Sequence, residues 1–276
     1  KKKKLKIKIS NLKDNGLIDL EDLKSKIDVN TRMICACHIA SQNGNIIDVE
    51  RIGELKKINR KIIFLLDACQ SIGHINIDVQ KINCDALVGS GRKYLRGPRG
   101  TGFIFIKNKL KNILKPSIFD SSSAYLKNSE IIYFKKNYFE TFENPSALII
   151  GLAESLKIIK NLGMRRIEKK IIELSLYFRE KIKNNRYIIP FENINFISGI
   201  NTIHLRGLKV EETYNFLIKK KILTSICTKT TSYHFFKKKK ISKILRISFH
   251  HYNSFKEIDY LVKILNEFIS IKKKNY

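Results

Sequence analysis

The chain has 276 residues, 43% of them apolar, and a formal net charge of +29. This length supports one large domain or two modest ones, and no apolar run is long enough to cross a bilayer, so no membrane partner is expected. The charge excess is mostly lysine spread along the chain, and clusters such as Lys237 to Lys240 indicate exposed loops. Because no stretch interleaves arginine with aromatic residues, the charge indicates a solvated surface, and no nucleic-acid partner is expected.

Four runs in the first half are predicted to be strands. Three are short and apolar, namely MICACHI (33–39), IIFLLDA (62–68) and CDALVGS (84–90), and the fourth is GFIFIK after the glycines of RGTG. Between the first two lies DVERIGELKKINRK, where acidic residues come early and basic residues late, as a helix dipole favours. Strand, helix and strand with short connections indicate parallel α/β construction.

The second half has a different pattern. Residues 108–145 are less regular, and a long amphipathic helical region then begins at PSALIIGL and continues through MRRIEKKIIELSLYF. After it, NTIHLRG, ILTSIC and ILRISFH are predicted strands, and VEETYNFLIKK and FKEIDYLVKILNEF are predicted helices. We therefore predict a large α/β domain at residues 1–165 and a smaller C-terminal α+β domain at residues 166–276.

The cysteines bear on the compartment. They are Cys35, Cys37, Cys69, Cys84 and Cys227. An odd number without C-x-x-C spacing argues against a disulfide framework or a metal site, and it favours a cytoplasmic location. Cys35 and Cys37 lie in an apolar run, where we expect them to pack as small hydrophobic residues.

Polar groups follow two of the apolar runs. IIFLLDACQ ends in Asp67 and Gln70, and CDALVGSGRK ends in Ser90, Arg92 and Lys93. In open α/β sheets, ligands bind beyond the carboxyl ends of the strands. An acid ending one strand and a lysine just past another, 26 positions on, suggest pyridoxal phosphate chemistry. This chemistry needs a lysine for a Schiff base and a carboxylate on the pyridine nitrogen.

The run DACQSIGHINIDVQKINCDALVGSGRKYLRGPRGTGFIFIK closely resembles the core of the class V aminotransferase-like enzymes. This family includes cysteine desulfurases, selenocysteine lyases and isopenicillin-N-epimerase-like proteins. RMICACHIASQNGNIIDVERIG and LRISFHHYNSFKEID are also similar to it, so the resemblance covers nearly the whole chain. It implies a pyridoxal-phosphate-dependent transferase fold of type I, with a mainly parallel sheet flanked by helices and a smaller C-terminal α+β domain.

The resemblance also implies how the cofactor ring is held. Lys93 would form the Schiff base with pyridoxal 5'-phosphate and move protons at the substrate Cα. Asp67 would pair with the pyridinium nitrogen, and Gln70 would hydrogen-bond the phenolic oxygen.

The phosphate and the substrate have their own implied residues. Ser90 and Arg92 would hold the phosphate, and Arg92 stands where many relatives carry histidine. Arg246 would bind the carboxylate of an amino-acid substrate. A homodimer is the expected assembly.

The reaction stays open at this point. Relatives have a further N-terminal segment before NGLIDL that contributes to the cofactor site, so a catalytically silent, truncated relative is one alternative. The R-G-P-R-G-T-G form and the HHYNSFKEID ending look closer to the C–S lyase and epimerase branch, which implies lyase, epimerase or aminotransferase chemistry through Lys93. The enzymatic alternative is a cysteine desulfurase that uses Cys227 as persulfide carrier.

Overall fold

A computed structural model describes residues 5–114, 116, 118, 120–134, 139–140, 142–230 and 232–274. The helices in these ranges are α1 (Leu20–Ser25), α2 (Val49–Glu54), α3 (Val79–Ile82), α4 (Asn108–Lys111), α5 (Ser146–Leu162), α6 (Met164–Ile182), α7 (Val210–Lys219), α8 (Tyr233–Lys239) and α9 (Phe255–Lys274). The strands are β1 (Met33–Cys37), β2 (Ile63–Asp67), β3 (Ala86–Ser90), β4 (Gly102–Ile106), β5 (Ala124–Lys127), β6 (Glu130–Tyr133), β7 (Ile188–Pro190), β8 (Ile200–Leu205), β9 (Ser225–Thr228) and β10 (Lys243–Ser248).

The first half contains the predicted sheet. Its strand order is β1-β2-β3-β4, with β1, β2 and β3 parallel and β4 antiparallel to β3. The prediction of these four strands is confirmed. Cys37 lies opposite Asp67, and Asp67 lies opposite Val88. The carboxyl ends of three strands therefore meet at one edge of the sheet.

One face of this sheet packs against helices. Ile34, Phe64 and Leu66 are buried on that face in one cluster with Ile52 of α2 and Ile82 of α3. Each of these short helices begins at an aspartate, Asp48 or Asp78, whose carboxylate accepts hydrogen bonds from backbone N–H groups of the first turn.

The opposite face of the sheet corrects one expectation. Cys35 and Cys37 do not pack as small hydrophobic residues, because both are exposed. Side chains alternate between the two faces of a strand. Ile34 therefore points to the covered face, whereas Cys35 and Cys37 lie on the opposite face, which the described residues leave open.

The predicted helical region is confirmed, with a break at Gly163 between α5 and α6. Helix α6 contributes to two clusters, because Ile167 and Ile171 pack with Leu95, whereas Leu174 and Phe178 join the C-terminal core. The predicted domain boundary at residues 165/166 falls in the first turn of α6, and the two-domain division stays a prediction.

The C-terminal sheet is antiparallel, in the order β7-β8-β10-β9. It includes the three predicted strands, and both predicted helices, α7 and α9, pack in its core. The interpretation of Lys237 to Lys240 as a loop was wrong for the first three residues, which form the last turn of α8. The aromatic pair Phe235 and Phe236 buries the opposite side of that helix.

The less regular stretch contains α4 and a hairpin of β5 and β6. Among the described residues, no helix has the length and apolar character that a membrane crossing requires.

Candidate active site

Asp67 ends β2 at the edge where the parallel strands finish, and its side chain lies half-buried on the open face. Its Oδ1 accepts a hydrogen bond from the Cys69 N–H over 2.9 Å. Its Oδ2 accepts from the Cys37 thiol at an S···O distance of 3.6 Å. No ion pair to Asp67 occurs within the described ranges. The carboxylate is thus held in place and keeps acceptor capacity for a ligand.

Lys93 lies in a tight turn between β3 and β4. The Gly97 N–H donates to the Gly91 carbonyl over 2.7 Å, and the Arg96 N–H donates to the Lys93 carbonyl over 2.9 Å. The Lys93 side chain is half-buried, and its ammonium makes neither a hydrogen bond nor an ion pair with any residue in the described part of the chain. A half-buried amine without a partner is available for reaction.

The charges of Asp67 and Lys93 both affect the pKa values of the Cys37 and Cys69 thiols. Loss of water around its sulfur raises the pKa of Cys37 to about 11, and the nearby Asp67 carboxylate adds to the rise. Burial also raises the pKa of Cys69, again with a contribution from Asp67. The Lys93 ammonium opposes the rise in both pKa values. Because charges act strongly only over short distances, the acid and the lysine belong to one site.

Arg246 approaches this site from β10 of the C-terminal sheet. It is half-buried, and its Nε donates to Ser248 Oγ over 3.0 Å. Burial raises the pKa of Tyr94, and the Arg246 charge works against that rise. Since Tyr94 directly follows Lys93, Arg246 lies near the lysine turn. Within the described residues, no carboxylate pairs with Arg246, so its guanidinium is free to bind an anion.

The remaining predicted residues surround the same edge. Ser90 is the last residue of β3 and is half-buried, whereas Arg92 is exposed. The positive charge of Arg92 acts on Cys69 together with that of Lys93. Gln70 directly follows Cys69 and has a half-buried side chain. Ser90 and Gln70 therefore lie at or just beyond the carboxyl ends of β3 and β2, and Arg92 directly precedes Lys93.

Cys227 lies in the C-terminal sheet, where the charge of Arg246 also acts on its thiol. It is buried in β9, opposite Ile244 of β10, in a cluster with Phe235 and Phe236. Burial raises the pKa of its thiol to about 11. A thiol that transfers sulfur must be accessible and reach its thiolate form, and Cys227 meets neither requirement here.

Sequence reasoning missed one polar group near this edge. The Tyr94 hydroxyl is buried without a hydrogen-bond partner among the described residues. Tyr94 directly follows Lys93, and its sequence neighbours show only a glycine-rich basic turn. A tyrosine next to the lysine was the available signal, but nothing in the sequence told whether its ring points inward.

The residues present fit pyridoxal phosphate. Asp67 offers a carboxylate with spare acceptor capacity, and Lys93 offers an amine without a partner. Ser90 and Arg92 offer a hydroxyl and a guanidinium to a phosphate at the same edge. Such a set at the carboxyl ends of parallel strands defines the class of pyridoxal-phosphate enzymes.

Comparisons with known proteins agree with this class. The Aminotransferase class-V family model matches residues 1–261. A "Probable cysteine desulfurase" of Pyrococcus abyssi is 29% identical over 98% of this chain and 67% of its own length. Another of the same description, from Borreliella burgdorferi, is 32% identical over 96% of this chain and 64% of its own.

A solved structure has the same fold. The apo cysteine desulfurase of Thermococcus onnurineus NA1 superposes with a TM-score of 0.88 at 25% identity, covering 95% of this chain and 66% of that one. The chain thus spans about two thirds of the length of these relatives. It belongs to the class V aminotransferase family, whose members depend on pyridoxal phosphate, and the predicted fold class is confirmed.

Proposed function

We propose that this chain carries the catalytic lysine of a pyridoxal-phosphate enzyme that cleaves the C–S bond of a cysteine-type amino acid. One observation carries the proposal: the partnerless Lys93 shares one sheet edge with Asp67, and the unpaired Arg246 approaches the same lysine turn. The printed descriptions of the relatives, cysteine desulfurases, support sulfur-containing substrates.

Three residues would hold the two charged ends of cofactor and substrate. Ser90 and Arg92 would donate to the cofactor phosphate, and Arg246 would bind the substrate carboxylate through a two-pronged contact. With Arg246 on the C-terminal sheet and Lys93 in the turn after β3, the substrate Cα would be held within reach of the lysine amine.

The ring would be oriented by the residues after β2. Asp67 would accept the proton of the pyridine nitrogen, and Gln70 would donate to the phenolic oxygen. When bound, pyridoxal phosphate supplies an electron sink for bonds at the substrate Cα. Lys93 would bind the cofactor aldehyde and then carry the proton removed from Cα.

The position of Cys227 bears on where the sulfur goes. Two outcomes balance. In elimination, cysteine and water give pyruvate, ammonia and sulfide; in desulfuration, cysteine and an acceptor thiol give alanine and a persulfide. Because Cys227 is buried in β9, we propose that the sulfur leaves either as free sulfide or onto an added thiol, rather than onto Cys227.

The first test is cofactor attachment. The purified chain is mixed with pyridoxal phosphate, its visible spectrum is recorded, and borohydride then fixes the cofactor on the lysine that it joins. We expect a visible band and a label on Lys93, and neither in Lys93→Ala. Lys109→Ala, which removes an exposed lysine, serves as the matched control. A spectrum without a band in the intact chain would favour the silent relative and sink the proposal.

The second test separates the two outcomes by product. The chain is mixed with pyridoxal phosphate without borohydride and given L-cysteine with and without dithiothreitol, and pyruvate, alanine and sulfide are measured. Pyruvate in excess over alanine assigns elimination, whereas alanine assigns desulfuration. Equal rates for Lys93→Ala and the wild-type chain would contradict a role for this lysine in either reaction.

A homodimer and a cytoplasmic location also stay proposals. Helix α5 exposes Ile149 and Ile150, and β4 exposes Ile104, which supports burial of this face against a second copy. All five cysteines are free, which supports a reducing compartment. Light scattering of the chain and of Ile150→Glu tests the dimer, since a charge on this apolar surface should leave a monomer.

A further inference from the structure

Tyr94, the residue after Lys93, belongs to a column of four stacked rings. The ring centroids of His74 and Tyr94 lie 3.8 Å apart, at an interplanar angle of 21°. His250 stacks on the other side of Tyr94 at 5.1 Å and 15°. Tyr252 follows His250 at 4.5 Å and 18°. The tyrosine ring is thus clamped between two imidazoles.

The inner imidazole, His74, is fixed through both of its nitrogens. Its Nδ1 lies 3.0 Å from the Gln70 carbonyl, and since a carbonyl only accepts, this nitrogen carries the proton. Its Nε2 accepts from the Gly199 N–H over 2.7 Å. Burial lowers the pKa of His74 to about 3, so the ring is neutral at ordinary pH.

The outer imidazole, His250, is fixed in the same manner. Its Nε2 donates to the Tyr94 carbonyl over 3.1 Å, and its Nδ1 accepts from the His251 N–H over 2.9 Å. Burial lowers the pKa of His250 to about 4. Tyr94 is therefore held twice by His250, through its ring and through its backbone carbonyl.

Two glycines let the backbone approach this column. Gly73 has a φ of +75°, and a Cβ there would lie 2.8 Å from the backbone of both Tyr94 and Leu95. A Cβ on Gly199 would lie 2.9 Å from His74 Nε2. Any side chain at either position would push the clamp apart.

The Tyr94 hydroxyl takes no part in holding the ring. It is buried and has no hydrogen-bond partner within the described ranges. The Tyr94 ring is therefore held by shape and stacking, without a hydrogen bond from its hydroxyl. This arrangement suits a residue whose ring positions its neighbour, not one whose hydroxyl reacts.

The column joins the two sheets. His74 follows β2, Tyr94 follows β3, and His250 follows β10, which carries Arg246. We propose that Tyr94 is a positioning residue, and that its clamp between His74 and His250 sets the Lys93 amine at a fixed place relative to Arg246. The meaning of that placement rests on the proposed function.

Hydrogen exchange followed by NMR tests the clamp without cofactor. In Tyr94→Leu we expect the amides of Arg96 and Gly97, which close the lysine turn, to exchange at least tenfold faster than in the wild-type chain, because the turn loses its anchor. In Tyr94→Phe, which keeps the ring, exchange should stay within about twofold. Phe64→Leu, a core change in the parallel sheet, is the control for general destabilisation.

Cofactor labelling is the second readout, because a purely structural role would not redirect it. After borohydride, mass spectrometry shows which of the many lysines carries the cofactor. We expect Tyr94→Leu to shift label from Lys93 to other lysines by at least tenfold, while Phe64→Leu labels Lys93 as the wild-type chain does. If Tyr94→Leu does not fold, His250→Asn, which removes the outer ring together with its hydrogen bond to the Tyr94 carbonyl, replaces it in both measurements.

The outcomes keep the two proposals apart. Unchanged exchange at Arg96 and Gly97 in Tyr94→Leu would overturn the clamp, whatever the wild-type chain does with cofactor. A wild-type chain that never labels Lys93 would overturn the proposed function, while faster exchange in the variant would still support the anchoring of the turn.

Discussion

Two regions of this molecule treat charged groups in opposite ways. At the sheet edge, Asp67, Lys93 and Arg246 are half-buried and make no ion pair within the described residues. In the interior of the C-terminal half, Glu192 and Arg179 are joined at 3.2 Å, with the Glu192 side chain fully buried and that of Arg179 partly exposed. Paired charged groups in the interior belong to the fold, whereas half-buried charged groups without a partner indicate a ligand site.

The interior site satisfies every oxygen of its acid. Glu192 Oε1 accepts from the N–H and the hydroxyl of Thr202, over 2.7 and 2.6 Å, and Arg179 reaches both Oε2 and the Glu192 carbonyl. Burial raises the pKa of Glu192, and the donors from Thr202 and Arg179 act against that rise. The buried histidines of both halves of the chain are instead kept neutral.

Those neutral histidines give the largest expected effect, a loss of stability in acid. Burial lowers the pKa of His74 to about 3 and the pKa values of His38 and His250 to about 4. An unfolded histidine titrates near 6.5, so the unfolded chain takes up protons first as the pH falls. The stability that follows from keeping these histidines neutral is fully present above about pH 6.5. The free energy of unfolding falls by about 2 kcal/mol for each histidine between pH 7 and pH 5.

Urea denaturation at pH 7 and pH 5 measures this loss. His74→Phe should reduce the pH dependence by one histidine's share. The charged or titratable groups near His74 are Arg246, His38 and His250, and each opposes its protonation further. Equal free energies of unfolding at the two pH values would show that these rings are protonated without cost, contrary to their burial.

The second effect breaks the interior pair itself. Glu192→Ala leaves the Arg179 guanidinium half-enclosed and unpaired, and removal of one partner of a buried pair costs about 3–5 kcal/mol. Glu180→Ala, which removes an exposed acid paired with Lys183 on the same helix as Arg179, should cost less than about 1 kcal/mol. Similar losses for the two variants, measured in urea, would mean that the Glu192 pair is as dispensable as a surface pair.

The third effect concerns the open edge. Asp67→Asn should change the free energy of unfolding by less than about 1 kcal/mol, because no ion pair is lost. It should weaken pyridoxal phosphate binding at least about tenfold, since an amide cannot hold the proton of the pyridine nitrogen. Asp85→Asn is the matched control. Asp85 lies outside the proposed site and forms an ion pair with Lys56 over 2.6 Å. Equal cofactor affinity in Asp67→Asn, by absorbance titration, would remove Asp67 from the site.

The same comparison shows what the sequence made predictable. The strands and the acid–lysine pair lie in short contiguous runs, so local patterns predicted β1 to β4 and the strand ends that carry Asp67 and Lys93. Their clustering follows from parallel strands ending at one edge. The exposure of Cys37 did not follow, because an apolar run does not tell which face of a strand is covered.

Contacts between residues that are far apart in the sequence could not be predicted. The ring column joins residues 74, 94 and 250, and no local pattern encodes such a meeting. The buried Glu192 offered no signal either, since its neighbours in sequence are ordinary. Helix α8 was not predicted, because the charges of Lys237 to Lys239 indicated an exposed loop. The buried aromatic pair Phe235 and Phe236, which packs the helix, was the opposing signal.

The smallest expected effect concerns Cys227. In Cys227→Ala we expect sulfur release from cysteine to stay within about twofold of the wild-type rate, because a thiol with a pKa near 11 is almost wholly protonated near pH 8. The variant should lose about 1 kcal/mol of stability from the small cavity left beside Phe235 and Phe236. A thiol-reactive dye should modify the exposed Cys35 in the folded chain and reach the buried Cys227 only on unfolding. If sulfur release falls by a hundredfold or more while the fold persists, Cys227 is the carrier after all, and β9 must open during turnover.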